Sequence, residues 1–162
     1  MSRGGARHRI RPILEKSVDE LVGYSMRRPF ASGMSEDIAV ARRLPIRELS
    51  ANQLRLLIQN GEAVGYLLPL ALDDLERDPL VEALLFRGDL LEAVLRAEIH
   101  WLEHSELKTR VRVVVERALA ALAEVRPIDC EAGGEPDFEK PSERDRSYLE
   151  PKLRAYLDGP RT

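Results

Sequence analysis

The chain has 162 residues, 44% hydrophobic, 33% charged and only 5% aromatic, so it can bury one core built mainly from Leu, Val, Ile and Ala, a composition that favours helices over sheets. The net charge of −3 is unevenly distributed. Five basic residues and one acidic residue give the first sixteen positions a charge of +4, which leaves −7 for the remainder. This distribution argues against a general nucleic-acid binder and favours a basic protein partner. The single cysteine, Cys130, excludes an intrachain disulfide, and no apolar run approaches the roughly 18 residues that a membrane-spanning helix needs.

Residues 1–16 are predicted to form a flexible basic arm. The stretch RGGARHRIR has no apolar segment and no cleavage pattern, so it is not a secretory signal, and we expect a cytoplasmic protein. A solvated tail is the simpler interpretation of the arm, and contact with RNA is the alternative.

Residues 17–125 are predicted to form one helical domain. Ser17 followed by Glu20 is a capping box for the helix SVDELV, and Ser35 is predicted to cap EDIAVARR. Ser50 is predicted to cap a helix in which Leu54, Leu57 and Ile58 form one buried stripe, because they lie three and four positions apart.

The next helix is predicted to begin near Gly65, since Pro69 is tolerated best in a first turn,. It ends at Asp78-Pro79 and is followed by a helix or turn, LVEALLF. Asp89, or Gly88 before it, is predicted to cap the helix LLEAVLRA.

The longest predicted helix follows a corner at His100-Trp101 and is capped by Ser105. Its apolar stripe predicts a core face, formed by Leu107, Val111, Val114, Val115, Ala118 and Leu122,. Residues 126–162 are predicted to form an acidic loop and a weak C-terminal helix split by Pro151. The expected fold is therefore all-α: a single compact domain of about six to eight short helices in a layered bundle.

One motif indicates possible catalysis. His100, Glu103 and His104 match the pattern H-x-x-E-H, in which two histidines one helical turn apart bind zinc and the glutamate activates water. The pattern lacks an evident third ligand, so a small zinc hydrolase is the alternative and a polar corner anchored by Trp101 is the preferred interpretation. The sequence shows no Gly-rich phosphate loop and no nucleophile elbow, and we expect no catalytic residue, metal site or cofactor.

Acidic residues follow the leucine-rich centre of the chain. Asp73, Glu76, Asp78 and Glu82 lie within ten positions. They form either a solvated face or a patch that docks on a basic partner.

The central stretch LPIRELSANQLRLLIQNGEAVGYLLPLALDDLERDPLVEALLFRGDLLEAVL resembles the all-helical type of contact-dependent growth inhibition (CDI) immunity proteins. The resemblance covers roughly residues 17–108 and depends on the set rather than on any one element. The matching positions are Leu44, Pro45, Leu49, Leu54, Arg55, Leu56, Leu57, Ile58, Gln59, Tyr66, Leu67, Pro69, Leu70, Ala71, Leu72, Leu75, Pro79, Leu80, Gly88, Asp89, Leu90 and Leu91.

This resemblance implies a bacterial protein that binds one cognate toxin domain, often a nuclease, in a 1:1 complex and does no chemistry itself. Direct nucleic-acid or membrane binding is not implied. The matched positions, including Leu54, Leu57, Ile58, Pro69, Gly88 and Asp89, are structural in this interpretation. The expected toxin-binding residues are the variable acidic ones, Asp73, Glu76, Asp78 and Glu82.

Overall fold

The computed structural model describes residues 13–25, 32–125 and 140–159. Within these ranges the chain forms seven α-helices and no strand. The helices are α1 (Val18–Val22), α2 (Gly33–Arg43), α3 (Ala51–Gln59), α4 (Val64–Arg77), α5 (Asp89–Arg96), α6 (Ser105–Ala123) and α7 (Glu143–Asp158), and single 3₁₀ turns lie at Ile46–Glu48 and Glu98–His100. The predicted all-α fold is confirmed.

The helices pack in chain order around α3 and α4. α3 packs against α2, α4 and α5, and α4 also packs against α5 and α6. The outermost helices extend this arrangement, since α1 packs on α2 and α7 packs on α6. Short connections between neighbouring helices explain why most of these contacts join elements that are close in the chain.

The core is aliphatic, as the composition predicts. Leu54, Leu57 and Ile58 of α3 are buried, and the stripe of α6 is buried from Val111 to Leu122, while Leu107 is partly buried against it. Each fully buried Leu, Ile or Val stabilises the fold by about 1.5–3 kcal/mol relative to an exposed one. The run of three valines in α6 is helical because the flanking residues share its 3.6-residue period,.

Two predicted helix starts are wrong and two are confirmed. Ser17 and Ser50 form complete capping boxes. α2 begins three residues earlier than predicted, because the Ser32 hydroxyl accepts the backbone N–H of Ser35. α6 begins at Ser105 itself, with His104 as the residue before the helix.

The two internal prolines interrupt their helices less than the sequence predicts. α4 begins at Val64, next to the expected Gly65, but Pro69 lies in its second turn rather than its first. α7 is continuous through Pro151, so the predicted split is wrong. An interior proline costs roughly 3 kcal/mol, and burial of the leucines on either side, Leu68 in α4 and Leu149 and Leu153 in α7, offsets that cost.

A buried arginine links α2 to α1 and to the turn between α3 and α4, and nothing in the sequence pattern indicated it. Arg42 of α2 is fully buried. Its Nε donates to Asp19 at 2.7 Å, a second nitrogen donates to Glu62, and a third donates to the carbonyl of Tyr24 at 3.1 Å. Burial opposes its charge, but these acceptors raise the pKa of Arg42 above its usual value,.

Two predicted segments lie largely outside the described residues. These are residues 1–12 of the basic arm and residues 126–139 of the acidic loop, which include Cys130. The described end of the arm contacts the domain, since the carbonyl of Lys16 accepts the N–H of Ile46 at 2.9 Å. Glu15 also pairs with Arg47 at the surface.

Candidate functional site

The segment between α4 and α5, residues 79–88, is a closed loop and not the helix that LVEALLF allowed. An isolated bridge between Glu82 and Arg87 closes its second half. The carboxylate of Asp89 accepts three successive backbone N–H groups, from Ala83 at 2.7 Å, Leu84 at 3.0 Å and Leu85 at 2.8 Å. Asp89 therefore does for this loop what a helix would do for its own backbone, which is to supply partners for the N–H groups.

Asp89 does not cap α5 through its side chain. The residue before the helix is Gly88, with φ of 90°, and Asp89 is the first helical residue. The predicted alternative, Gly88, is therefore the cap, because the carboxylate of Asp89 faces back into the loop.

A buried arginine lies behind Asp89. The Nε of Arg55 is 3.6 Å from a carboxylate oxygen of Asp89, and both side chains are almost fully buried. The other nitrogens of Arg55 donate to Gln59 at 2.8 Å and Asn52 at 3.0 Å. Arg55, Gln59 and Asp89 all belong to the family-like pattern, so these motif residues organise the loop from inside.

The loop exposes two leucines. Leu84 and Leu85 are 57% and 63% exposed, although the N–H groups of both residues are bonded to Asp89. A groove of about 850 Å³ lies between Leu85 and the N-terminal half of α7, where Arg144 and Tyr148 line it. The loop thus presents apolar side chains on a fixed backbone.

Glu92 of α5 joins this region to α7. Its carboxylate accepts hydrogen bonds from Tyr148 at 3.0 Å, from Arg96 at 3.0 Å and from Lys152, whose ammonium also lies 3.5 Å from the centre of the Tyr148 ring. Burial alone would raise the pKa of Glu92, but the hydrogen bonds from Lys152 and Tyr148 outweigh it and lower that pKa below 4.5,.

Glu92→Gln is expected to lower the free energy of unfolding at neutral pH by about 2 kcal/mol, because a hydrogen-bonded charge is lost. A lowered pKa in the folded state stabilises it at pH above 4.5, and this stabilisation is lost as the pH falls through the folded pKa,. Urea unfolding across acidic and neutral pH should therefore show that the difference in unfolding free energy between wild type and Glu92→Gln shrinks below pH 4.5. In a Lys152→Met background the shrinkage should be smaller and should be complete at a higher pH, because the folded-state pKa of Glu92 then lies closer to that of the unfolded chain,. An advantage that stays constant through the acidic range would contradict this role of Glu92.

The four predicted toxin-binding residues lie on two neighbouring elements. Asp73 and Glu76 of α4 both accept from Arg110 of α6, at 2.7 and 2.6 Å. The hydrogen bond from Arg110 lowers the pKa of Glu76.

The other two acidic residues lie beside the loop. Asp78 pairs with Arg87 at 3.0 Å, and Glu82 is exposed at the loop bridge. Three of the four carboxylates are thus already paired within the chain. Their role in binding stays a prediction.

The residues of the H-x-x-E-H pattern do not lie on one helix. His100 ends a 3₁₀ turn, Glu103 lies in the following turn, and His104 has an extended backbone just before α6. The zinc motif requires both histidines on one helical face, so the geometry lacks that arrangement. In the described ranges no three His, Cys, Asp or Glu side chains are grouped closely enough to hold a metal ion.

The same corner is anchored by Trp101, as the preferred interpretation predicts. The indole is fully buried and its N–H donates to the carbonyl of Val94 at 2.8 Å. The ring also meets Tyr156 of α7 edge-on at 5.7 Å. Beside it, Ile99 is 86% exposed, a feature that the sequence analysis did not single out.

Comparison with known proteins then assigns the family. A family model described as CDI immunity proteins matches residues 23–111, more than half of the chain and all of the Arg55, Gln59 and Asp89 arrangement. The chain belongs to the CDI immunity protein family. Its membership implies that this immunity protein neutralises a toxin. No curated protein and no solved structure matches the chain.

The matched region of this immunity protein ends inside α6, so α7 lies beyond it. α7 nevertheless packs on matched residues, through Leu149 beside Gly88 and through Tyr148 bonded to Glu92. Among the described residues no helix is long and apolar enough to cross a membrane.

Proposed function

We propose that this immunity protein binds the C-terminal toxin domain of its cognate CDI system as a 1:1 complex in the bacterial cytoplasm. The observation that carries the proposal is the family match over residues 23–111. In this role the protein needs no catalytic residue, because a stable complex that covers or distorts the toxin's site is sufficient.

Charge supports a basic toxin, such as a nuclease. The body of the chain carries −7 once the basic first sixteen residues are set aside. Nucleases must attract a polyanion, so their substrate-binding surfaces are positive, and an acidic partner associates faster with such a surface.

The test is co-expression with the toxin domain encoded by the gene immediately upstream. We expect cells that express the toxin domain to survive only when this chain is present, and the two purified proteins to elute together from a sizing column at micromolar concentration. A toxin domain from another CDI system is the control and should neither bind nor be neutralised. Separate elution and unprotected cells would overturn the proposal.

A further inference from the structure

The corner between α5 and α6, residues 98–106, exposes a large apolar side chain at its tip. Ile99 is 86% exposed, and Leu102 beside it is 43% exposed. Exposed apolar surface costs a monomer solubility, and contiguous patches of it commonly mark interaction sites.

Ile99 forms a ridge between two grooves. On one side lies a groove of about 930 Å³, shared with Leu102 and with Pro151 and Tyr156 of α7. On the other side lies a groove of about 420 Å³, lined in part by Met34 of α2, which is itself exposed. The shape is convex and apolar at the centre, so it fits a partner with an apolar pocket.

The ridge is held in place before any partner binds. The N–H of His100 donates to Ala97 at 2.9 Å and the N–H of Leu102 donates to Glu98 at 2.9 Å. Trp101, which lies between His100 and Leu102 in the chain, is fully buried, and its indole N–H donates to the carbonyl of Val94. A side chain on such a fixed backbone loses little conformational entropy on binding, which leaves more of its burial energy for affinity.

Three carboxylates surround the ridge. Glu98, Glu103 and Glu106 are exposed, and none of them forms an ion pair within the described part of the chain. Asp73 and Glu76 differ, because both already form ion pairs with Arg110. Unpaired acidic groups around an apolar centre are complementary to a basic surface with an apolar pocket, and the unpaired charges steer association.

We propose that the corner 98–106 is the toxin-binding surface, with Ile99 as the apolar anchor and Glu98, Glu103 and Glu106 facing basic side chains of the toxin domain. The proposal rests on the function proposed above and names the surface that performs it. It also gives a use to the segment whose H-x-x-E-H spacing pointed to zinc.

The decisive variant is Ile99→Ala in the full chain, titrated against a catalytically inactive toxin domain encoded by the upstream gene. Truncation of a central anchor is expected to raise Kd about tenfold or more. The matched control is Leu85→Ala, since Leu85 is also more than half exposed but lies near the other end of α7, and its Kd should stay within about twofold of wild type. Ile99→Lys, which adds a like charge against a basic partner, should bind more weakly still.

Charge is tested by the triple variant Glu98→Gln, Glu103→Gln, Glu106→Gln. We expect slower association and a weaker dependence of the rate on salt, because the steering charges are gone. The triple variant Glu36→Gln, Asp37→Asn, Glu124→Gln changes the net charge equally at other exposed positions and should change both quantities less.

The outcomes separate this inference from the function on which it rests. If the wild type binds the toxin domain while the Ile99 variants bind equally well and fold normally by thermal unfolding, the corner is not the interface. Loss of binding in Leu85→Ala or in the Glu36, Asp37, Glu124 variant alone would move the interface to those residues. If the wild type does not bind, the proposed function and this inference both fail.

Discussion

Asp89→Ala is expected to lower the free energy of unfolding by about 3–5 kcal/mol, the loss typical of removing one partner from a buried charge pair. Two effects combine at this position. Three backbone N–H groups of the 79–88 loop lose their acceptor, and the buried Arg55 loses its nearest carboxylate. A donor left without its acceptor is costly where water reaches it poorly, and these three hydrogen bonds are partly buried. Urea unfolding at neutral pH measures the change.

Two controls identify the cause. Asp74→Ala removes a carboxylate whose one ion pair among the described residues is a surface pair with Arg77, and its effect should stay within about 0.5 kcal/mol. The double variant Arg55→Met, Asp89→Asn removes both charges together. Its loss of unfolding free energy should be smaller than the sum of the losses for the single variants Arg55→Met and Asp89→Asn. Additive costs would show that Arg55 and Asp89 do not interact, and a loss below 1 kcal/mol for Asp89→Ala would contradict the role assigned to its carboxylate.

The helices and their buried faces could be predicted from sequence because their signals are local. Glu20, three positions after Ser17, identifies Ser17 as a cap, and the spacing of Leu54, Leu57 and Ile58 identifies the α3 stripe. The predicted start of α2 is wrong because two serines, Ser32 and Ser35, are both suitable cap residues and the sequence does not distinguish them. The predicted split of α7 at Pro151 is wrong because the burial of Leu149 and Leu153, which keeps the helix continuous, is a tertiary effect.

The polar contacts could not be predicted, because their partners are distant in the chain. The sequence marked Asp89 as part of a pattern, but its bonds run backwards to residues 83–85 rather than to the helix that it begins. Arg42 bonds to Asp19 and Glu62, which lie 23 and 20 positions away in the chain. Charge alone also does not reveal the partners of the acidic residues, since nothing in the sequence shows that Arg110 lies beside Asp73 and Glu76.

The exposed apolar surface around Ile99 could not be predicted from the sequence either. A single isoleucine between Glu98 and His100 has no period to identify it, and its 86% exposure follows from the burial of Trp101 two positions later. The signal that was available was the tryptophan. A lone Trp in a polar segment needs a buried site, and fixing it turns the neighbouring side chains outward.

Gly88→Ala is expected to destabilise the protein by about 2–4 kcal/mol, because two costs fall on one position. Gly88 has φ of 90°, where residues with a Cβ are strained,. A Cβ there would also lie 2.6 Å from Cδ1 of Leu149 and 3.3 Å from Cδ2 of Leu80. Both leucines are buried in the core, so neither can move aside without disturbing its neighbours.

Gly61→Ala separates the two costs. Gly61 has a similar φ of 74°, but a Cβ there would meet nothing within 4 Å, so only the backbone strain of about 1 kcal/mol is expected. The difference between the two variants in urea unfolding measures the close approach of α7 to the loop. Combining Gly88→Ala with Leu149→Ala should recover part of that difference, because the smaller side chain makes room, whereas the same Leu149→Ala change should give no such recovery with Gly61→Ala. Equal losses for Gly88→Ala and Gly61→Ala would show that α7 does not press on the loop. The connection between α7 and the family-matched residues would then rest on other contacts, such as those of Glu92 with Tyr148 and of Trp101 with Tyr156.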